Sequence, residues 1–363
     1  MFLFSVYPLL ACCSRRAVAF VLLGLVGVHS GAVAQSRSCA EETGDSLGRF
    51  NLRMDNDMFG GADQDQGYTN GFMASWISPN LASYQDDPCI PHVVRSLNRY
   101  LAWLQPANFE EQNMTIGVGQ MMYTPTDHSR RDLIKDDRPY AGALMMGLGY
   151  NARQGGRLST SQLRFGIIGP ASLAGKAHES VHKVIGGDRF RGWDNQLHNE
   201  PVVQLLHERR RRLAEAGYTS GPWRWDAIGH VGGSLGNFAT YANTGLEMRF
   251  GYLLPDDLGT APLRPAGDNT SPLKLGGAYS GWAGHAFIAV DSRWVLYDIT
   301  LDGNTFRSSH SVDKKSLVAD IGYGVAITHG PWRLAFTRYH RTREFHGQDE
   351  SPVYGTFTIG RRL

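Results

Sequence analysis

Apolar and polar residues alternate along most of this chain with a period of two, the spacing of a β-strand whose faces meet different surroundings. "YAGALMMGLGYN" is the clearest case: Tyr140, Leu144, Met146, Leu148 and Tyr150 share one face, and Ala141, Ala143, Gly147, Gly149 and Asn151 the other. "LVADIGYGVAIT" repeats it, with Leu317, Ala319, Ile321, Tyr323, Val325 and Ile327 opposite Asp320, Gly322, Gly324 and Thr328. One face is bulky and edged with aromatics; the other is small or polar. A sandwich in water turns its large face inward and charges outward. Small residues on the second face suit instead the lumen of a barrel whose large side chains meet lipid. Twelve such segments are predicted, near 48–56, 68–78, 112–122, 140–151, 159–168, 201–213, 222–234, 240–253, 283–299, 316–328, 332–345 and 353–361. An even count is what a closed outer-membrane barrel requires. The expected fold is therefore all-β, a closed antiparallel transmembrane β-barrel of about 12 strands, with short helices in its loops.

Three features sit uneasily with that pattern. The segments 201–213 and 332–345 carry arginine runs that fit only the lumen or a position beyond the membrane edge. The chain ends in Arg361, Arg362 and Leu363 rather than the terminal aromatic common in such barrels. "HVVRSLNRYLAWL", residues 92–104, places Val93, Val94, Leu97, Tyr100, Leu101 and Leu104 on one helical face, so it either lies on the membrane or packs under the barrel.

Composition narrows the class without changing it. Of 363 residues only 19% are charged and 43 are glycine, which argues against disorder, a coiled coil or a helical bundle. The formal charge of +2 and the lack of a basic stripe with interleaved aromatics give no expectation of a nucleic-acid partner. Arg15 and Arg16 precede the apolar run "AVAFVLLGLVGV" and then "GAVAQ", a small-x-small cleavage site ending at Ala34, so residues 1–34 are expected to be a secretory signal and 35–363 the barrel. "LLAC" offers an alternative lipoprotein site at Cys12. Past the signal only Cys39 and Cys89 remain, a pair that an oxidising periplasm could join.

Chemistry gathers in the loops. If both ends of the barrel wall are periplasmic, the loops after odd-numbered segments share the outer rim, and three of them are dense in functional groups. The first, in "MDNDMFGGADQDQGYTNGF", holds Asp55, Asp57, Asp63 and Asp65. The second, "YTPTDHSRRDLIKDDRPYAG", offers Arg130, Arg131, Lys135 and Arg138, which are either part of a solvated loop or a match for phosphate oxygens. In the third, His178, Glu179 and His182 spell H-E-x-x-H, a zinc-peptidase pattern when carried on a helix. That helix is short, stops at Gly186 and Gly187, and has no further ligand at a familiar spacing, only Glu200.

These motifs, together with "QMMYTP", "VHKVIGG", "GWDNQLHNEP" and "TLDGNTFRSSHSVDKK" in the same order, make the chain resemble the outer-membrane lipid A 3'-O-deacylases, twelve-stranded barrels that depend on calcium. By motif, the resemblance implies that Asn56 and Asp57 match the Asn-Asp ending the first strand, and Thr69 the threonine opening the second. It implies that His182 is the catalytic base and that Arg130 and Arg131 match the family's Lys-Arg pair. Asp188 falls where the family has a glutamate ligand, a shorter carboxylate with altered reach. His178 has no counterpart there, which makes H-E-x-x-H a coincidence.

The activity implied by the resemblance is calcium-dependent ester hydrolysis. Calcium takes six to eight oxygen ligands, so Asp57, Asp188, backbone carbonyls and water are suitable, with Asp63 and Asp65 left to solvent. Neutral His182 takes a proton from water as it attacks an ester carbonyl, and calcium with Asn56 meets the oxyanion. Thr69 either orients water or satisfies its own hydroxyl as a strand residue. Arg130, Arg131 and Lys135 are placed to bind the phosphates of lipid A while its acyl chains stay in the bilayer. A glycerophospholipid suits the same chemistry, and a catalytically silent barrel and a zinc peptidase remain as other readings; the oligomeric state is open.

Overall fold

The computed structural model of the protein describes residues 48–60, 67–88, 90–107, 109–185, 190–217, 221–260 and 281–363, with the backbone alone at 58 and 181–185. The expected signal over 1–34 with Cys12, the pair Cys39 and Cys89, and Asp63 and Asp65 lie outside the described residues.

All twelve predicted segments are strands: β1 (Arg49–Asn56), β2 (Gly67–Ile77), β3 (Glu111–Thr124), β4 (Ala141–Gln154), β5 (Arg157–Ile168), β6 (Glu200–Ala216), β7 (Trp223–Gly236), β8 (Ala239–Tyr252), β9 (Trp282–Asp298), β10 (Leu317–His329), β11 (Trp332–Arg341) and β12 (Val353–Arg362). Each pairs antiparallel with its chain neighbours, and β1 closes on β12 from Arg49 opposite Arg362 to Asn56 opposite Gly355. Closure leaves no open edge, which is what a backbone in lipid needs. No described helix is long and apolar enough to span a membrane. The strands cross instead.

Alternation sorts the faces as the sequence predicts. Met146, Phe165, Leu317, Ile321, Tyr323 and Val325 face outward and are exposed, whereas Ala141, Ala143, Asn151 and Asp320 line the lumen and are buried. The lumen is packed rather than open. Buried charges persist there because each has an opposite partner: Arg53 meets Asp55 at 2.7 Å, Arg249 meets Asp226 at 2.7 Å, and Arg341 meets Asp320 at 2.7 Å. Toward the rim opposite the termini, Tyr68, Tyr123, Met145, Tyr339 and Tyr354 fill the interior. Lumenal cavities of about 70 and 20 Å³ lie between the described residues.

The arginine run of β6 divides between the two faces. Arg210 and Arg212 turn inward, to Glu208 at 2.8 Å and Asp226 at 3.4 Å, while Arg209 and Arg211 are exposed on the outside. β11 ends at Arg341, so 342–345 is loop rather than strand; there the Glu344 N–H turns to Gln348 Oε1 at 2.6 Å instead of a neighbouring strand. At the chain's end, Arg361 lies over the Trp332 ring at 5.1 Å.

The long connection 78–110 does not pack under the barrel. It folds up against the outside of the wall, carrying α1 (His92–Tyr100). Leu81, Tyr84, Ile90 and Leu104 bury outward-facing Met114 of β3 and Leu148 and Tyr150 of β4. The apolar face expected for the helix is split: Val94 and Leu101 pack on the wall, while Val93, Leu97 and Tyr100 stay exposed. The cause is Asn98, fully buried one turn from Val94, whose amide donates to Tyr84 O at 2.5 Å and accepts from Tyr150 Oη at 2.8 Å. The stripe facing the wall is therefore 94, 98 and 101, and the neighbouring apolar stripe faces away.

Candidate functional site

The loops after odd-numbered strands, 57–66, 125–140, 169–199, 237–238, 299–316 and 342–352, all emerge at the rim opposite the termini, as the strand count requires. The three chemically dense loops therefore share one rim.

A one-residue irregularity shapes the start of the site. In the β2 to β3 ladder Tyr68 pairs with Tyr123 and Asn70 with Met122, so Thr69 is the extra residue of a β-bulge. A bulge re-aims the side chains around it. Tyr68 turns into the lumen, where its hydroxyl donates to Asp55 Oδ2 at 2.7 Å over Gly71, at which a Cβ would sit 1.8 Å from that hydroxyl. Thr69 turns the other way and meets Thr124 Oγ1 at 2.5 Å, on the outward parity of β3. Its hydroxyl is thus satisfied by a neighbouring hydroxyl and sits fully buried. Asn56 ends β1 on the same outward parity, opposite Asn70, and Asp57 opens the 3-10 turn 57–60; both are buried.

A helix covers this end of the wall. α2 (Ala174–Ile185) includes His178 and His182 and packs on β3 and β4. Two small residues allow the approach: a Cβ on Gly142 of β4 would lie 2.2 Å from the Ala174 Cβ. Gln120 of β3 donates to Ser172 O at 2.6 Å just before the helix. His178 is buried between Phe190 at 4.4 Å and Trp193 at 5.7 Å, ring to ring, so it serves as an aromatic packing residue. Among the described residues, which leave out the His182 side chain, no group of three or more His, Cys, Asp and Glu gathers as a metal site. His182 lies one turn beyond His178 in the helix backbone; its side chain and Asp188 are outside the described residues.

The cationic loop lies alongside. Arg191 N donates to His128 O at 3.0 Å, Asn195 Nδ2 to Arg131 O at 2.6 Å and Leu197 N to Tyr140 O at 2.9 Å, which fastens loop 125–140 to the strand-bound end of the helix loop. Arg130, Arg131 and Lys135 are exposed on it. Arg138 is not available for a ligand: it is buried against Glu344 at 2.9 Å and Thr300 at 3.0 Å. Burial pushes the Glu344 carboxyl up, but the guanidiniums of Arg341 and Arg138 offset this and hold it below the ordinary glutamate range.

The structure also gives roles to motifs that sequence reasoning leaves without one. Glu200, at the end of "GWDNQLHNEP", accepts hydrogen bonds from Asn304 Nδ2 at 3.1 Å and Thr305 N at 3.1 Å, so "TLDGNTF" is a clamp between two rim loops. Trp193 and Tyr140, at 5.1 Å, brace the base of α2. No local pattern marks Thr124, Gly142 or Trp193, because each acts through a neighbour distant in sequence.

The barrel, its outward-facing bulge and the helix on its outer wall now stand beside known proteins. Residues 19–363 match the family model described as outer membrane protein LpxR. The chain belongs to the LpxR family, the outer-membrane lipid A 3'-O-deacylases. Among solved structures, LpxR from Salmonella typhimurium matches with a TM-score of 0.69 and 16% identity, over 87% of this chain and 100% of that one, a likeness of fold. The β domain of the Bordetella autotransporter BrkA matches at a TM-score of 0.40 and 11% identity, over 87% of this chain and 98% of that one. No curated protein matches the chain. LpxR-family membership assigns the barrel to the outer membrane, where the outward wall of β1 to β4 meets lipid.

Proposed function

We propose that this protein hydrolyses an ester-linked acyl chain of lipid A in the outer leaflet of the outer membrane. The observation that carries this reading is the bulge at Thr69, which turns Thr69 away from the lumen to the outer side of the wall, next to Asn70, the ladder partner of Asn56, while the helix that bears His182 packs on the same outer side against β3 and β4. A site on that side receives a lipid by lateral diffusion, with its acyl chains against exposed Met54, Phe72 and Val118. No part of the substrate has to leave the bilayer.

The donors present suit calcium. Asp57, Asn56, Thr69 and nearby carbonyls are all hard oxygen donors, with Asp188 as the second carboxylate. Calcium held there supplies a Lewis acid for the ester carbonyl. The chain's own residues do the rest. His182 takes the proton from the attacking water and returns it to the leaving hydroxyl. Asn56 donates a hydrogen bond to the developing oxyanion. Thr69, backed by Thr124, orients the water, and Arg130, Arg131 and Lys135 hold the lipid A phosphates.

The test is mass spectrometry of lipid A from a host expressing the protein or its His182→Ala variant, with membranes incubated in calcium or chelator. Loss of an acyloxyacyl mass that needs both His182 and calcium is the expected result. Unchanged lipid A beside a folded barrel overturns the proposal.

A further inference from the structure

A cavity of about 940 Å³ lies far from the candidate site. It lies on the outside of the wall near the terminus-side rim, between β5, β6 and β7 and the segment that follows α1. Trp103 and Pro106 form one bank, and Leu205, Leu213 and Val231 lie on the other.

Two neighbouring strands grade in polarity along it. Nearest the rim Arg157 faces Arg211 directly, and Arg209 faces Ser159. One step further Ser161 faces His207, with Ser161 Oγ and His207 Nδ1 hydrogen-bonded at 2.9 Å. Beyond them Leu163 faces Leu205 and Phe165 faces Val203, the last two being exposed. Guanidinium, then hydroxyl and imidazole, then hydrocarbon is the order a membrane phospholipid presents from phosphate through ester to acyl chain.

The charges have no internal explanation. Arg157, Arg209 and Arg211 are exposed, none has a carboxylate partner among the described residues, and no Asp or Glu lines the cavity. Like charges directly opposite in a ladder repel, and guanidinium groups on the lipid face of a barrel are unfavourable unless a headgroup meets them. The inward arginines of the same strand, Arg210 and Arg212, both have carboxylates. Exposed Trp223, Trp225 and Tyr252 stand further along β7 and β8 toward the same rim, as the aromatic belt of a barrel does, with the three guanidiniums on its bilayer side.

We infer that this groove is a binding site for an anionic phospholipid of the leaflet at the terminus-side rim, in outer-membrane barrels the periplasmic leaflet. Arg157 and Arg211 grip the phosphate from two sides, with Arg209 as third donor. Ser161 and His207 meet the glycerol esters, and the acyl chains run along Leu205 and Val203. The site is separate from the deacylase site and stands or falls without it.

The test is native mass spectrometry of the full chain in mixed micelles with phosphatidylglycerol or phosphatidylcholine, for wild type and for the Arg157→Gln/Arg211→Gln variant, with Arg307→Gln on the opposite rim as control. Wild type and control retain one phosphatidylglycerol under activation that strips phosphatidylcholine, and the double variant loses about tenfold in retention. Barrel folding of each variant is checked by heat-modifiable gel mobility. Should the variant not fold, a phosphatidylglycerol with a photoreactive acyl chain labels wild type within the peptide containing Val203 and Leu205. Equal retention of the two lipids, unchanged retention by a folded variant, or labelling spread evenly around the barrel overturns the inference. So does displacement of the lipid by inorganic phosphate alone, or a dimer that excludes lipid from the groove.

Discussion

The outward faces of β3 and β4 carry two covers, one at each end. At the terminus-side end the segment 78–107 seals Met114, Leu148 and Tyr150 with apolar side chains, and its one buried amide, Asn98, is fully used by Tyr84, Met114 and Tyr150. At the other end α2 sits over Gly142 and Gln120, beside a bulge with Thr69 and Thr124. The wall is the same antiparallel ladder throughout. The covers differ: one is a seal over apolar side chains that satisfies its own polar groups, the other lies on a stretch of outer wall where polar groups, Thr69 and Thr124 among them, are buried. On the proposed reading, this barrel acquires its chemistry through a segment laid on it and through one inserted residue.

The most severe way to break the contrast is His182→Ala. Turnover is expected to fall about 10²- to 10⁴-fold, the usual worth of a general base, with gel mobility of the barrel unchanged; retained activity would remove the lid from the chemistry. Next comes Glu344→Ala, which strips the buried Arg138 of its partner and loosens the loop bearing Arg130 and Arg131. A loss of about 3–5 kcal/mol is expected in urea unfolding. Acid should mimic it: a carboxyl held below its ordinary value stabilises fully above about pH 4.3, and that stability is lost as pH falls through the depressed value. Unfolding midpoints measured from pH 7 downward check this, and a flat profile in the wild type would deny the pair its role.

Gly142→Val pushes α2 away from the wall, and a displacement of about 1 Å in a catalytic group lowers turnover about 10²-fold while the strands remain paired. Asn98→Ala acts on the seal alone. Stability falls by about 1–3 kcal/mol, for Tyr84 O and the Tyr150 hydroxyl left unsatisfied, and deacylation per folded molecule is unchanged. The mildest is Thr69→Val, which keeps the bulge but removes the hydroxyl; a drop of about tenfold matches one lost hydrogen bond. If Asn98→Ala impaired turnover as much as Thr69→Val, the two covers would not be distinct.

The strands are legible in the sequence because each alternates over eight or more residues, and single-residue irregularities in β2, β6 and β8 break the period only locally. The rim containing the site emerges from counting them. The bulge is not legible: in "GYTNGF" either Tyr68 or Thr69 can be read as outward, and only the pairing of Tyr68 with Asp55 and of Thr69 with Thr124 decides between them. The buried face of α1 is hidden in the sequence because Asn98 is polar and reads as exposed, although three partners on other segments hold it buried. Arg138 reads as one of the surface cations for the same reason: Glu344, its partner, lies 206 residues away.

The packed lumen has an electrical consequence. Twelve strands enclose enough cross-section for an aqueous pore, yet among the described residues buried ion pairs and stacked tyrosines fill the lumen, and pockets of about 70 and 20 Å³ between them have room for a few isolated water molecules. A planar bilayer containing the protein should hold a voltage without current steps, so a cell can insert many copies without discharging small solutes through its envelope.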